Sequence, residues 1–156
     1  MKNKLFRLQT LTLAGGSIFA WYTVFGDFSR FFSAGGRITQ FSGCQFPNPL
    51  ITPCFYGAIA FLIALGWSIF ILQNPENKKR ISQKRLNWLL LAGTLFAWSM
   101  VAKEFYKYFT PHTGAYIGCS GLPTQNPVFT PCLTGASIYL ISLILSIFIL
   151  RKKRNR

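Results

Sequence analysis

Long apolar runs separated by shorter polar stretches dominate the pattern of this 156-residue chain. Four runs of 16 to 21 residues carry almost no charge, and they cover 8–28, 55–72, 86–101 and 133–150. Each is close to the roughly 20 residues that a helix needs to cross a bilayer. A soluble domain of this length has too little chain to cover four such helices. The pattern therefore predicts an all-α integral membrane protein with four transmembrane helices.

The two halves of the chain resemble each other. Residues 43–58 (GCQFPNPLITPCFYGA) and 118–136 (GCSGLPTQNPVFTPCLTGA) share the order Gly-Cys, Asn-Pro, Thr-Pro-Cys and Gly-Ala, and the runs that follow both end in Ser-Ile-Phe-Ile-Leu. We interpret 8–72 and 86–150 as two copies of a helical hairpin within one membrane domain, 1–156. Because each copy holds an even number of spans, the copies form a parallel repeat. The expected fold is a pseudo-two-fold four-helix bundle.

Small residues recur at one place in the repeat. Gly16 and Ala20 lie four residues apart in the first run, and Gly93 and Ala97 match them in the third. Small residues at this spacing let helix backbones approach closely in lipid. We expect the first and third spans to pack against each other at the pseudo-axis.

The charge distribution predicts the orientation in the membrane. The net charge is +14, and the basic residues cluster before the first run, in 73–85 and in the tail 151–156. The positive-inside rule then places both termini and a 73–85 loop in the cytoplasm, and both cysteine segments outside the inner (plasma) membrane. The first run is long for a signal peptide and is repeated in the third, so we expect it to be retained. The basic tails lack interleaved aromatic residues, which disfavours nucleic acid as a partner and favours the lipid bilayer.

All four cysteines lie in the two repeated segments: Cys44, Cys54, Cys119 and Cys132. Thiols outside a bacterial membrane are oxidised to disulfides, and repeat symmetry favours two of the possible bonds, Cys44–Cys54 and Cys119–Cys132. In each Thr-Pro-Cys motif the proline suits the first turn of a helix, where its missing N–H costs nothing. Cys54 and Cys132 should then lie at the outer starts of the second and fourth spans.

Thiol–disulfide exchange is the alternative role for these cysteines, because a helix N-terminus favours the thiolate. Four spans, cytoplasmic termini and two cysteines in each outer loop resemble the quinone-coupled membrane oxidases of the disulfide-bond-formation protein B and vitamin K epoxide reductase class. The resemblance implies a quinone cofactor. If the cysteines instead form structural disulfides, no cofactor is expected. The Cys-x-x-Cys pair of those families is absent from this chain. A metal site would have only the lone His112 and widely spaced cysteines as ligands.

Two of the three acidic residues occupy equivalent repeat positions, Asp27 and Glu104, each three residues before a base, Arg30 or Lys107. On one helix face such a spacing forms an ion pair at the membrane interface. Alternatively, both acids face the pseudo-axis and mark a path for an ion, a proton or a quinone.

The sequence contains none of the phosphate-binding, nucleophile-elbow, metalloprotease or dinucleotide motifs on which common enzyme classes depend. We therefore expect a non-catalytic accessory or scaffold subunit that presents two disulfide-stapled outer loops to other membrane-protein subunits. A thiol–disulfide oxidoreductase is the first alternative. A small channel or transporter is the second, and its polar lining would have to come from a short set: Thr23, Ser68, Ser142 and Ser146.

Overall fold

The computed structural model describes residues 2–39, 48–73, 75–110 and 130–154. In these segments the chain forms four long helices and one short 3-10 helix: α1 Lys2–Ser33, the 3-10 helix Pro49–Ile51, α2 Pro53–Gln73, α3 Glu76–Phe109 and α4 Pro131–Arg154. The described segments contain no strand. The prediction of an all-α protein is confirmed.

Three of the four helices are long and apolar enough to cross a membrane: Pro53–Gln73, Lys79–Phe109 and Pro131–Arg151. This supports the prediction of a membrane protein. Helix α1 is 32 residues long but is not among the three. Its polar residues, which include the buried Gln9, Ser17 and Asp27, lower its mean hydropathy. A fourth span, formed by α1, is therefore a proposal.

Helices α1 and α3 extend well beyond the apolar runs that predict them. The segment 73–85, predicted as a cytoplasmic loop, consists mostly of helix, since only residues 74–75 separate α2 from α3. Lysine, arginine, glutamine and glutamate are good helix formers, so the polar sequence continues α3 without a break. At the other end, both helices continue past their acidic residues, to Ser33 and Phe109.

Helices α2 and α4 begin at Pro53 and Pro131, as the Thr-Pro-Cys motifs predict. The threonine before each proline accepts a backbone hydrogen bond from the residue three positions later, at 3.1 Å in α2 and 3.2 Å in α4. The hydroxyl of Thr52 also donates to the carbonyl of Pro49, at 2.7 Å. This bond joins the 3-10 helix to the start of α2.

The four helices form a ring in which each has two neighbours: α1 lies beside α2 and α4, and α3 lies beside α2 and α4. At the centre of the ring, the side chains of Phe61 on α2 and Tyr139 on α4 pack with ring centroids 4.0 Å apart. Both side chains are almost fully buried. These two residues occupy equivalent positions in the proposed repeat.

The predicted contact between the first and third spans is wrong, because α1 and α3 lie across the ring from each other. Their small residues make room for aromatic rings instead. A Cβ atom added at Gly16 would lie 2.5 Å from the ring of Phe61, and one added at Gly93 would lie 2.8 Å from the ring of Tyr139. The rings of α2 and α4 occupy the axis, and the glycines of α1 and α3 accommodate them.

A buried polar network joins the helices near the turn between α2 and α3. The amide nitrogen of Gln83 donates to Gln9 Oε1 on α1 and to Ser146 Oγ on α4, both at 3.0 Å. Nearby, the hydroxyls of Thr10 and Ser68 lie 2.7 Å apart and link α1 to α2. Hydrogen bonds between helices are a common means of association in membranes, where apolar surface alone gives little specificity.

Candidate functional site

A cavity of about 470 Å³ lies within the half of the bundle that contains the starts of α2 and α4. All four helices contribute to its walls, which are almost entirely apolar. Its aromatic lining consists of Phe19, Tyr56, Phe61, Phe96 and Tyr139. Gly57 and Gly135 also line it, and a Cβ atom added at either would meet nothing within 4 Å. A pocket of this size and character suits an apolar small molecule or chain.

Cys54 and Cys132 both lie on the wall of this cavity, each in the first turn of its helix. The structure thus brings together the two helix-start cysteines of the two proposed repeats. Cys54 is half-buried and carries a free thiol.

The predicted Cys44–Cys54 disulfide therefore is not formed in this structure. The side chain of Cys54 lines the interior of the bundle instead. Cys44 and Cys119 lie outside the described residues, so the Cys119–Cys132 bond stays a prediction. His112 also lies outside them.

The two repeated acids are both buried in helices near this cavity. Asp27 on α1 and Glu104 on α3 are each 6% exposed. Arg30 Nη2 donates to Asp27 Oδ1 within α1, and Asp27 Oδ2 has no hydrogen-bond partner among the described residues. Lys107 is exposed, one turn beyond Glu104.

Asn48 holds the last part of the first outer segment against the end of α1. Its Nδ2 donates to the carbonyl of Ile38 at 2.9 Å, and its Oδ1 accepts from the backbone N–H of Leu50 at 3.1 Å. The side chain is buried. The Asn-Pro motif, noted in the sequence only as part of the repeat, thus caps the 3-10 helix that leads into α2.

Of the four hydroxyl residues considered as a channel lining, three have hydrogen-bond partners, and Ser142 Oγ has none among the described residues. Ser68 pairs with Thr10 and Ser146 with Gln83, while the hydroxyl of Thr23 donates to the carbonyl of Phe19 in its own helix. Three of the hydroxyls are thus occupied in joining helices or in bonding their own backbone. The fourth, on Ser142, is buried.

Sequence reasoning missed the participation of Gln9 and Gln83. Gln83 lies in the segment assigned to a loop, and Gln9 stands near the start of an apolar run, where a polar residue resembles a helix end. The buried position of Gln83 follows from the sequence only if α3 is known to begin at Glu76, because only then does Gln83 belong to a helix.

Comparison with protein families, curated proteins and solved structures finds no match to this chain. The geometry of the cavity and its surroundings therefore supplies the basis for the functional proposal.

Proposed function

We propose that this chain is a four-span membrane protein built from a duplicated hairpin, with α1 as the additional span. At 32 residues α1 exceeds the roughly 20 needed to cross a bilayer. Several of its polar side chains point into the bundle, so they do not have to face lipid. The contact between the equivalent residues Phe61 and Tyr139 at the centre of the ring supports a pseudo-two-fold axis between the hairpins. The basic helix ends lie on the cytoplasmic side, following the positive-inside rule.

Within that architecture, we propose a non-catalytic accessory or scaffold subunit that presents its two outer segments to other membrane-protein subunits, with Cys119–Cys132 as the staple of the second. One observation carries this proposal: the free Cys54 lies on an apolar wall. Reactive cysteines occupy electropositive, accessible places, and cysteines in apolar surroundings are inert. Cys54 lies in apolar surroundings, so we expect its thiol to be inert.

The scaffold function is tested by photo-crosslinking from matched positions. Ile51 lies at the cysteine-bearing end and is 50% exposed, while Ile81 lies near the turn between α2 and α3 and is 61% exposed. A photoreactive residue at position 51 should capture one defined membrane protein in intact cells, and the same residue at position 81 should not. The capture should persist in Cys54→Ser. Equal capture at both positions, or at neither, would contradict the proposal.

A thiol–disulfide oxidoreductase is the second candidate, and the shared cavity of the two helix-start cysteines favours it. The free thiol of Cys54 and Cys132, which the scaffold proposal pairs with Cys119, line the same cavity. In exchange, the Cys54 thiolate would attack Cys132, form a Cys54–Cys132 bond and release the former partner of Cys132 as a thiolate.

Peptide mapping after incubation in glutathione buffers separates the two functions. The scaffold proposal predicts that Cys132 keeps one partner throughout and that Cys54 remains a thiol, since structural disulfides resist the glutathione pool. The appearance of a Cys54–Cys132 peptide, with reduction near −200 mV and reoxidation by added quinone, would establish the oxidoreductase instead. The variant Cys54→Ser, which cannot form that bond, is the control.

A further inference from the structure

A second cavity lies on the lipid-facing side of the bundle, between α2 and α3 and near the turn that joins them. This groove has a volume of about 350 Å³. Its apolar wall comes from α2 and includes Ile63, Gly66 and Trp67, while Ser82 and Arg85 on α3 supply polar groups on the opposite side. A Cβ atom added at Gly66 would meet nothing within 4 Å, so the missing side chain leaves open space in the groove.

The depth of the groove follows from the helix geometry. Gly66 lies seven residues before the end of α2 at Gln73, and Ser82 lies six residues after the start of α3 at Glu76. At about 1.5 Å per residue, both positions are about 10 Å from the turn. If the turn lies at the cytoplasmic surface, the groove lies where headgroups meet acyl chains. Arg85 lies nine residues after the start of α3, about 14 Å from the turn, and its long side chain can reach back towards the headgroups from that depth.

Apart from Glu76 at the first position of α3, the charged residues beside the groove are basic. Lys79, Arg80, Lys84 and Arg85 fall within two turns of α3. Neither α2 nor the 77–103 part of α3 contains an acidic residue. A guanidinium group binds phosphate oxygens through two parallel hydrogen bonds, and a serine hydroxyl can donate a third.

We propose that this groove binds one anionic phospholipid of the cytoplasmic leaflet. Its phosphate contacts the guanidinium of Arg85 and the hydroxyl of Ser82. Its acyl chain lies over Gly66, between Ile63 and Trp67. The apolar wall favours a lipid over free phosphate, because free phosphate has no apolar group to pack against that wall. The site rests on the proposed orientation, in which α2 and α3 cross the membrane with their turn at the cytoplasmic surface, and it is independent of the scaffold function.

Lipid binding by the full chain in detergent micelles tests the proposal. Native mass spectrometry counts bound phosphatidylglycerol, which is anionic, against phosphatidylcholine, which is zwitterionic. We expect one retained phosphatidylglycerol per chain and weaker retention of phosphatidylcholine. Inorganic phosphate at the same concentration should neither displace the lipid nor raise the unfolding midpoint. Displacement by phosphate would overturn the assignment of the site to a lipid.

Two variants address the two parts of the site, and each has a matched control. Arg85→Gln should weaken phosphatidylglycerol binding by about fivefold or more, whereas Lys84→Gln, one residue away on another face, should have a much smaller effect. Gly66→Leu should fill the groove and remove the retained lipid. Gly15→Leu places the same side chain in open space on α1, outside the groove, and should leave binding unchanged. Unfolding midpoints verify that each variant is folded.

Equal losses in Arg85→Gln and Lys84→Gln would mean that the lipid responds to general surface charge, and unchanged binding in a folded Gly66→Leu would mean that the chain does not use the groove. Either result would overturn the proposal.

Discussion

Two adjacent glycines in α1 have opposite surroundings, and the difference shows how tightly the centre of the bundle is packed. A Cβ atom added at Gly16 would lie 2.5 Å from Phe61 and 2.8 Å from Ile138, closer than real Cβ contacts. One added at Gly15 would meet nothing within 4 Å. The ring of Phe61 cannot retreat easily, because the ring of Tyr139 packs against it with centroids 4.0 Å apart.

We therefore predict opposite effects for two neighbouring alanine substitutions. Gly16→Ala should lower the free energy of unfolding by about 1 to 3 kcal/mol through overpacking. Gly15→Ala should raise it by up to about 1 kcal/mol through helix propensity. Unfolding in detergent, followed by circular dichroism, measures both. Equal effects of the two substitutions would contradict the packing described for the bundle centre.

At the residue scale, the sequence reveals the small residues but not their partners. The four-residue spacing of Gly16 and Ala20 predicts a close approach of two helix backbones, whereas Gly16 makes room for the ring of Phe61. The partners of the small residues are aromatic side chains of α2 and α4, because the ring order of the helices depends on packing across the whole bundle. No single helix carries that information. The same limit applies to Cys54, whose position at a helix start is predictable but whose orientation towards a cavity is not.

At the scale of elements, the apolar runs predict α2 and α4 closely and α1 and α3 less well. The run 55–72 gives α2 Pro53–Gln73 to within two residues at its start and one at its end. The run 86–101, by contrast, covers only the middle of α3 Glu76–Phe109. Hydropathy reports which residues suit lipid, whereas helix ends depend on proline, capping and propensity. Thr-Pro marks the start of α2. No comparable signal in the sequence marks where α1 and α3 end, beyond Asp27 and Glu104.

The hydrogen bonds of Gln83 connect three elements, and they can be measured as a coupling. In a double-mutant cycle, Gln9→Leu and Gln83→Leu should be non-additive by about 0.6 kcal/mol and by no more than about 1.7 kcal/mol, the range measured for helix–helix hydrogen bonds in membranes. Thr12→Val is the control, because the hydroxyl of Thr12 donates only to Leu8 within its own helix. The control should combine additively with Gln83→Leu, to within about 0.5 kcal/mol. Additivity of the two glutamine substitutions would mean that the network does not join α1 to α3.

At the scale of the whole molecule, the two ends of the helix bundle differ in character. The end with the starts of α2 and α4 has the apolar cavity, two cysteines and two buried acids. The opposite end has the glutamine network, the lipid groove and most of the basic residues. This polarity is predictable from sequence, because charge sets orientation. The cavity and the groove cannot be predicted from the sequence, because both are gaps between helices whose positions depend on how the helices pack.

The central claim is that the chain crosses the membrane four times with its cysteine-bearing end outside. The most direct measurement is the labelling of introduced cysteines with a membrane-impermeant maleimide, read by peptide mass spectrometry so that the native cysteines can stay. In intact cells, Ser33→Cys at the end of α1 should be labelled. Lys4→Cys, Asn77→Cys and Asn155→Cys should be labelled only after the membrane is opened. Labelling of positions 4 and 33 from the same side would show that α1 does not cross, and labelling of position 77 from outside would show that the orientation is reversed.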